Sequence, residues 1–111
     1  MHFFNIAIKF DDRKIIMDQE TRKKLHYRAW HRGTREADMM VGGFFDTYSS
    51  NWDADQITWF ERLLMEQDVD IMGWAMGTIN VPSSFEGDMM NLFKRLDFIK
   101  LVDELQNISK D

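Results

Sequence analysis

The chain has 111 residues, no cysteine and a formal net charge of −5, and 44% of its residues are hydrophobic. This length and composition fit one folded domain, and the lack of cysteine excludes disulfides, catalytic thiolates and cysteine-bound metal ions. The acidity argues against a general nucleic-acid binder, and no apolar run has the length of a membrane span, so we expect a cytoplasmic protein.

Positive charge is concentrated in the first third of the chain. Residues 13–35 hold eight lysines and arginines against two acids, whereas residues 36–111 hold five against fifteen. The basic stretch can dock on an acidic protein or an anionic ligand, or it can simply be the solvated face of a helix. Charge alone leaves both interpretations open.

Residues 1–16 lack a helical pattern and an evident partner strand, and we expect them to form a mobile lead-in. A single domain is predicted over residues 17–107, where apolar residues recur at helical spacing and capping residues separate them. With only one proline and six glycines in the chain, helices are favoured over a turn-rich β fold. The predicted fold class is therefore all-α, a small compact bundle of about five helices.

The first two predicted helices meet at the stretch HRGTREAD. They cover about residues 18–31 and 35–48. Asp18 or Thr21 can cap the first helix. Gly33 can adopt a positive φ angle that ends this helix, and Thr34 can cap the second one. The stretch is thus predicted to be a tight turn between two helices.

Capping residues also delimit the later helices. The third and fourth helices are predicted over about residues 53–67 and 68–77. Asp53 and Gln56 have the spacing of a capping box, while Asp68 is expected to cap the fourth helix and Gly77 to end it. A second capping box in the segment SSFE predicts a long final helix that reaches about Leu105.

No residue pattern indicates a catalytic or metal site. His26 and His31 lie five residues apart, on different sides of a helix, and the chain has no HExxH pattern. Acid pairs at the starts of the third and fourth helices are explained by capping and by the helix dipole. Since phosphate-binding glycine loops and nucleophile arrangements are also missing, we predict a non-enzymatic helper or binding module without a metal.

One long stretch nevertheless carries a specific set of motifs. The segment RAWHRGTREADMMVGGFF contains RGxxE followed by an acid two residues later, and the segments FERLL and DVDIMGW come after it. In this order and spacing, the motifs resemble those of the SdhE-type FAD assembly factors of bacteria and their mitochondrial relatives. The resemblance covers residues 24–77, about half of the chain, whereas residues 1–16 look additional and the final helix matches only loosely.

The resemblance implies a five-helix fold and an assembly function. Such a factor promotes covalent attachment of FAD to a histidine of the succinate dehydrogenase flavoprotein subunit, its client, and fumarate reductase is a further candidate client. The factor holds the client, performs no group transfer itself and binds no cofactor stably. We expect a monomer in a bacterial cytoplasm that neither binds nucleic acid nor inserts into a membrane. The alternative function is a regulatory protein-interaction module of the antitoxin-like type.

The resemblance also places client binding around the RGxxE signature. The residues concerned are Arg28, His31, Arg32, Gly33, Glu36 and Asp38. Gly33 permits close approach, the Arg32 guanidinium can fork onto a carboxylate or carbonyl, and Glu36 can accept a hydrogen bond from a client donor. The alternative is a helix junction held by an internal Arg32–Glu36 pair. Because an exposed ion pair contributes only about 0–1 kcal/mol, Arg32→Ala and Glu36→Ala are expected to fold nearly as well as the wild type.

Overall fold

Five α-helices form the body of the protein. The computed structural model describes residues 8–11 and 14–99, with side chains from residue 17 onward. The helices are α1 Gln19–Trp30, α2 Arg35–Tyr48, α3 Ala54–Leu64, α4 Asp68–Met76 and α5 Asp88–Phe93. Short 3-10 turns lie at Ser49–Asn51, Ser83–Phe85 and Asp97–Ile99. The prediction of an all-α bundle of about five helices is confirmed.

A pair of short strands precedes the bundle. Strand β1, Ile8–Asp11, runs antiparallel to strand β2, Lys14–Met17, with Ile8 opposite Met17. The expectation that this region lacks a partner strand is wrong, because each strand is the partner of the other across a two-residue connection. Mobility of residues 1–16 stays a prediction, since residues 1–7, 12 and 13 lie outside the described residues.

The described helices are too short or too polar for any of them to cross a membrane. What they form instead is a shared core that centres on Phe44 of α2. Its ring centroid lies between 5.0 and 6.3 Å from those of six aromatic residues: Tyr48, Trp52, Trp59, Phe60, Phe93 and Phe98. Leu25 and Ala29 are the buried residues of α1, as predicted. Burial of this aromatic cluster is the main force that holds α2, α3 and α5 together, and α1 adds its two aliphatic residues to the same core.

The predicted caps of α1 and α3 and the predicted end of α4 are confirmed. Asp18 rather than Thr21 caps α1, since its Oδ1 accepts a hydrogen bond from the Thr21 backbone N–H at 2.8 Å. Asp53 and Gln56 form the predicted capping box at α3, with distances of 2.8 and 2.9 Å. Gly77 ends α4 with a φ angle of 81°.

The start of α4 and the final helix differ from the predictions. Gln67 occupies the capping position of α4, whereas Asp68 is its first helical residue. The SSFE segment forms a 3-10 turn, α5 begins only after Gly87, with φ 139°, and Leu96 reverses the chain with φ 52°. A single long helix is therefore wrong as far as Ile99, and the predicted end at residue 105 lies outside the described residues. The chain bends because Phe85 and Phe98, on either side of α5, both bury their rings.

Candidate functional site

The turn between α1 and α2 consists of residues 31–34. Gly33 has a φ angle of 120°, which favours glycine, and no atom lies within 4 Å of the place where a Cβ would be. Its backbone angle, rather than crowding, therefore requires glycine there. Thr34 caps α2 as predicted, because its Oγ1 accepts the Ala37 N–H at 3.1 Å.

The Arg32 side chain points into the protein and is only 10% exposed. Its Nε donates to Oδ1 of Asp68 at 2.8 Å, Nη1 to the Leu64 carbonyl at 2.9 Å, and Nη2 to the Glu66 carbonyl at 2.8 Å. The guanidinium thus satisfies carbonyls at the C-terminal end of α3, where a cation is also favoured by the helix dipole. Arg32 ties the turn to the α3–α4 junction.

This geometry changes the interpretation of Arg32. The guanidinium, predicted to fork onto a carboxylate or carbonyl of the client, binds one carboxylate and two carbonyls of its own chain. The internal pair considered as an alternative exists in a different form, since the partner is Asp68 and not Glu36. The premise that Arg32→Ala removes only an exposed ion pair is therefore wrong. Client binding by the six residues around the turn stays a prediction.

Asp38 also stabilises the turn between α1 and α2. This half-buried carboxylate, in the first turn of α2, accepts a hydrogen bond from the backbone N–H of Arg32. A carboxylate is well placed there because the helix N-terminus has a partial positive charge. Asp38 and Arg32 together fix the path of the chain before α2.

Glu36 is the exposed acid of the signature. It lies in the first turn of α2, and within residues 17–99 no hydrogen bond or salt bridge engages its carboxylate. His31 and Arg28 are exposed beside the turn. The His31 ring stacks on Tyr27 with a centroid distance of 3.8 Å, and Arg28 reaches the Met65 sulfur at 3.5 Å. The predicted site residues thus divide into an exposed set and a set that builds the turn.

The sequence did not predict the apolar surroundings of Glu36. Glu36 lines two adjoining hollows, which also share Met72 and Met76 of α4. Val69 and Met76 are 66% and 55% exposed although they are apolar. The available signal was the composition of α4, DVDIMGWAM, in which apolar residues occupy more of the helix than one buried face needs.

Among the described side chains, two ionisable groups have shifted pKa values. Burial raises the pKa of Glu61, which lies in a hollow beside Leu25 and Tyr27, and the nearby Arg28 partly opposes this shift. The hydrogen bond that Tyr48 donates to Asp97, and to a lesser extent burial, raises the pKa of Tyr48. Neither group belongs to the turn. In the described part of the chain, no three His, Asp or Glu side chains converge as metal ligands would.

The part of the chain that contains the turn is also the part that is similar to known proteins. Residues 23–97 match the sequence profile of a family described as "Flavinator of succinate dehydrogenase". This range contains the turn, Glu36 and the hollow lined by Val69 and Ile79.

Relatives with a described role share the similarity. The FAD assembly factor SdhE of Acetobacter pasteurianus is 34% identical over 61 residues, which are 55% of this chain and 56% of that protein. The mitochondrial succinate dehydrogenase assembly factor 2-A of Drosophila mojavensis is 32% identical over 92 residues, 80% of this chain and 57% of the relative. Assembly factor 2 of Dictyostelium discoideum is 30% identical over 95 residues, with coverages of 80% and 67%. The chain spans little more than half the length of the first two relatives.

Proposed function

Since this chain belongs to the family of flavinators of succinate dehydrogenase, we propose that it promotes covalent attachment of FAD to the succinate dehydrogenase flavoprotein subunit. The names of its relatives, an FAD assembly factor and succinate dehydrogenase assembly factors, support this role. We propose that the chain acts without catalysis and without a resident cofactor, by binding the flavoprotein. Action on fumarate reductase, a monomeric state and a bacterial cytoplasmic location stay predictions of the resemblance.

The observation that carries the proposal is the presentation of Glu36. Its exposed carboxylate has no internal partner among the described side chains, yet it follows a turn that Arg32 and Asp38 hold rigidly. A fixed group loses little conformational entropy on binding, so a rigid turn favours recognition of a partner. We therefore assign client contact to Glu36 and positioning of the turn to Arg32, Gly33 and Asp38.

The two other predicted contact residues fit this assignment. Arg28 and His31 are exposed beside the turn. Positive charge on α1 can speed the encounter with an acidic surface of the flavoprotein, because opposite charges steer association. We propose that they contribute to the rate of association, whereas Glu36 contributes to the specificity of the complex.

The test is complementation with Glu36→Ala in the native host lacking the factor. Covalent flavin on the flavoprotein subunit is read as in-gel fluorescence after denaturation. Wild type should restore the signal, while Glu36→Ala should lower it at least tenfold at an unchanged melting temperature. Asp55→Ala is the matched control, because Asp55 is likewise an exposed acid in the first turn of a helix.

Two results would contradict the proposal in different ways. If wild type fails to raise covalent flavin in the deleted strain, the assembly function is refuted. If wild type restores the signal and Glu36→Ala restores it equally, the function stands but Glu36 is not the contact that carries it.

A further inference from the structure

An apolar groove runs along α4 beside Glu36. Here it is called the α2–α4 groove, and its walls are Met39, Val69, Met72, Met76 and Ile79. Contiguous apolar surface with a polar edge marks interaction sites on soluble proteins. With Val69 and Met76 both more than half exposed, the groove leaves apolar area that the fold itself does not bury.

The backbone fixes one wall of the groove. After Gly77 ends α4, the N–H groups of Thr78 and Ile79 donate to the Gly73 carbonyl at 2.9 and 3.1 Å, which folds Ile79 back over α4. A Cβ at residue 73 would overlap the Ile79 side chain, so glycine is what lets Ile79 lie there. Met39, Met72 and Met76 also line the groove, and their unbranched side chains adapt to an incoming surface.

The charges at the groove indicate what it accepts. Glu36 and Asp68 are the ionisable residues that line the half of the groove near Val69 and Ile79, whereas Arg35 joins Glu36 in lining the half near Met39, so the negative charge is concentrated in the first half. Asp68 forms a salt bridge with the guanidinium of Arg32, so Glu36 supplies the unneutralised negative charge in this half of the groove. An occupant that matches both features combines apolar side chains with one lysine or arginine.

We propose that the α2–α4 groove takes up an apolar segment of the flavoprotein client, and that a lysine or arginine next to this segment pairs with Glu36. The inference rests on the proposed function and deepens it. A second copy of the chain fits less well, because the basic face of α1 and the groove are different surfaces. Pairing them would produce an open chain of molecules and not a closed dimer.

The experiment measures binding of full-length variants to the purified flavoprotein subunit of the same host, prepared without covalent flavin. Val69→Asp and Met76→Asp put a charge into the groove at exposed positions, so both should fold like the wild type. We expect each to weaken binding at least tenfold. Thr58→Asp adds the same charge at an exposed position of α3 outside the groove, and should stay within twofold of wild type.

The basic partner has its own readout. A photo-crosslinking amino acid at position 69 should label one client peptide that is apolar and has a lysine or arginine within a few residues. Binding by the wild type should weaken with added salt, and Glu36→Gln should lose part of that salt dependence. A labelled peptide flanked only by acids would overturn the charge pairing.

The remaining outcomes separate this inference from the proposed function. If wild type raises covalent flavin and the groove variants bind as tightly as wild type, the groove is refuted while the function stands. If wild type leaves covalent flavin unchanged, both are refuted. Tighter client binding by the groove variants would show that residues 100–111 cover the groove. Loss of self-association in Val69→Asp would show that a second copy of the chain binds there. Either result overturns the inference.

Discussion

Replacement of Arg32 by alanine tests whether the signature arginine is a structural residue. The side chain is 10% exposed and donates three hydrogen bonds, to the Asp68 carboxylate and to the carbonyls of Leu64 and Glu66. Its removal leaves these three acceptors at the α3–α4 junction without their donor. The turn would then be joined to the junction only through the packing of the helices themselves.

The expected loss follows from these contacts. A hydrogen bond to a charged group contributes about 1.5–3 kcal/mol, but such energies do not add fully when the groups share one site. Asp68 is 25% exposed, so water replaces part of what it loses. We expect Arg32→Ala to lower the free energy of unfolding by about 2–4 kcal/mol, which for a domain of this size lowers the melting temperature by roughly 10–20 °C.

Urea unfolding followed by far-UV circular dichroism measures this loss. Arg32→Lys should lose at least half as much as Arg32→Ala, because a single ammonium group cannot reach three acceptors in the fork geometry of arginine. Arg28→Ala is the matched control on α1, since Arg28 is exposed and its only described hydrogen bond is to the Met65 sulfur. It should stay within about 0.5 kcal/mol of the wild type.

A stability of Arg32→Ala within about 0.5 kcal/mol of wild type would refute the structural role. A loss of about 2–4 kcal/mol would instead change how the flavinylation assay is interpreted. Loss of covalent flavin in an Arg32 variant would then reflect a displaced turn or an unfolded protein. Glu36 variants, which should keep wild-type stability, are the ones that report on client contact.

Two further pairs of groups give independent predictions. Gly42→Ala should lower the free energy of unfolding by about 1–2 kcal/mol although alanine has the better helix propensity, because the added Cβ overlaps the Trp30 ring. At Gly43 an added Cβ would meet one aromatic atom at 3.3 Å, so Gly43→Ala should change the free energy of unfolding by less than about 1 kcal/mol. Both are measured by urea unfolding, and equal effects would contradict the packing. The hydrogen bond to Asp97 raises the pKa of Tyr48 above its ordinary value of 10.0, so the neutral phenol is favoured in the folded state. Its stabilisation is complete below pH 10 and lost as the pH rises through the higher folded pKa, so wild type should lose more stability than Tyr48→Phe when unfolding is compared at pH 9 and pH 11.

Local chemistry explains which parts of the fold the sequence could predict. The caps at Asp18, Thr34 and Asp53 act on backbone groups three residues away, and the structure confirms all three. The ending of α4 at Gly77 is equally local, since a positive φ angle stops a helix without help from elsewhere. Signals of this range are contained in a short window of sequence.

The rest depends on partners that are distant along the chain. The end of α5 at Phe93 reflects burial of Phe98 against the ring of Phe44, which no capping residue announces. The inward direction of Arg32 depends on groups 32, 34 and 36 residues later, so a window around RGxxE shows an arginine in a turn and nothing more. Exposure of α4 likewise depends on which helices cover it.

The separation between Arg32 and its acceptors also has a consequence for synthesis on the ribosome. When the turn emerges, the acceptors that anchor it have not been made, and the last of them comes 36 residues later. A nascent or truncated chain that stops within α3 therefore lacks the junction that orients Glu36. For the client contact proposed at Glu36, recognition is then limited to molecules whose synthesis has passed Asp68, so shorter chains do not occupy the client.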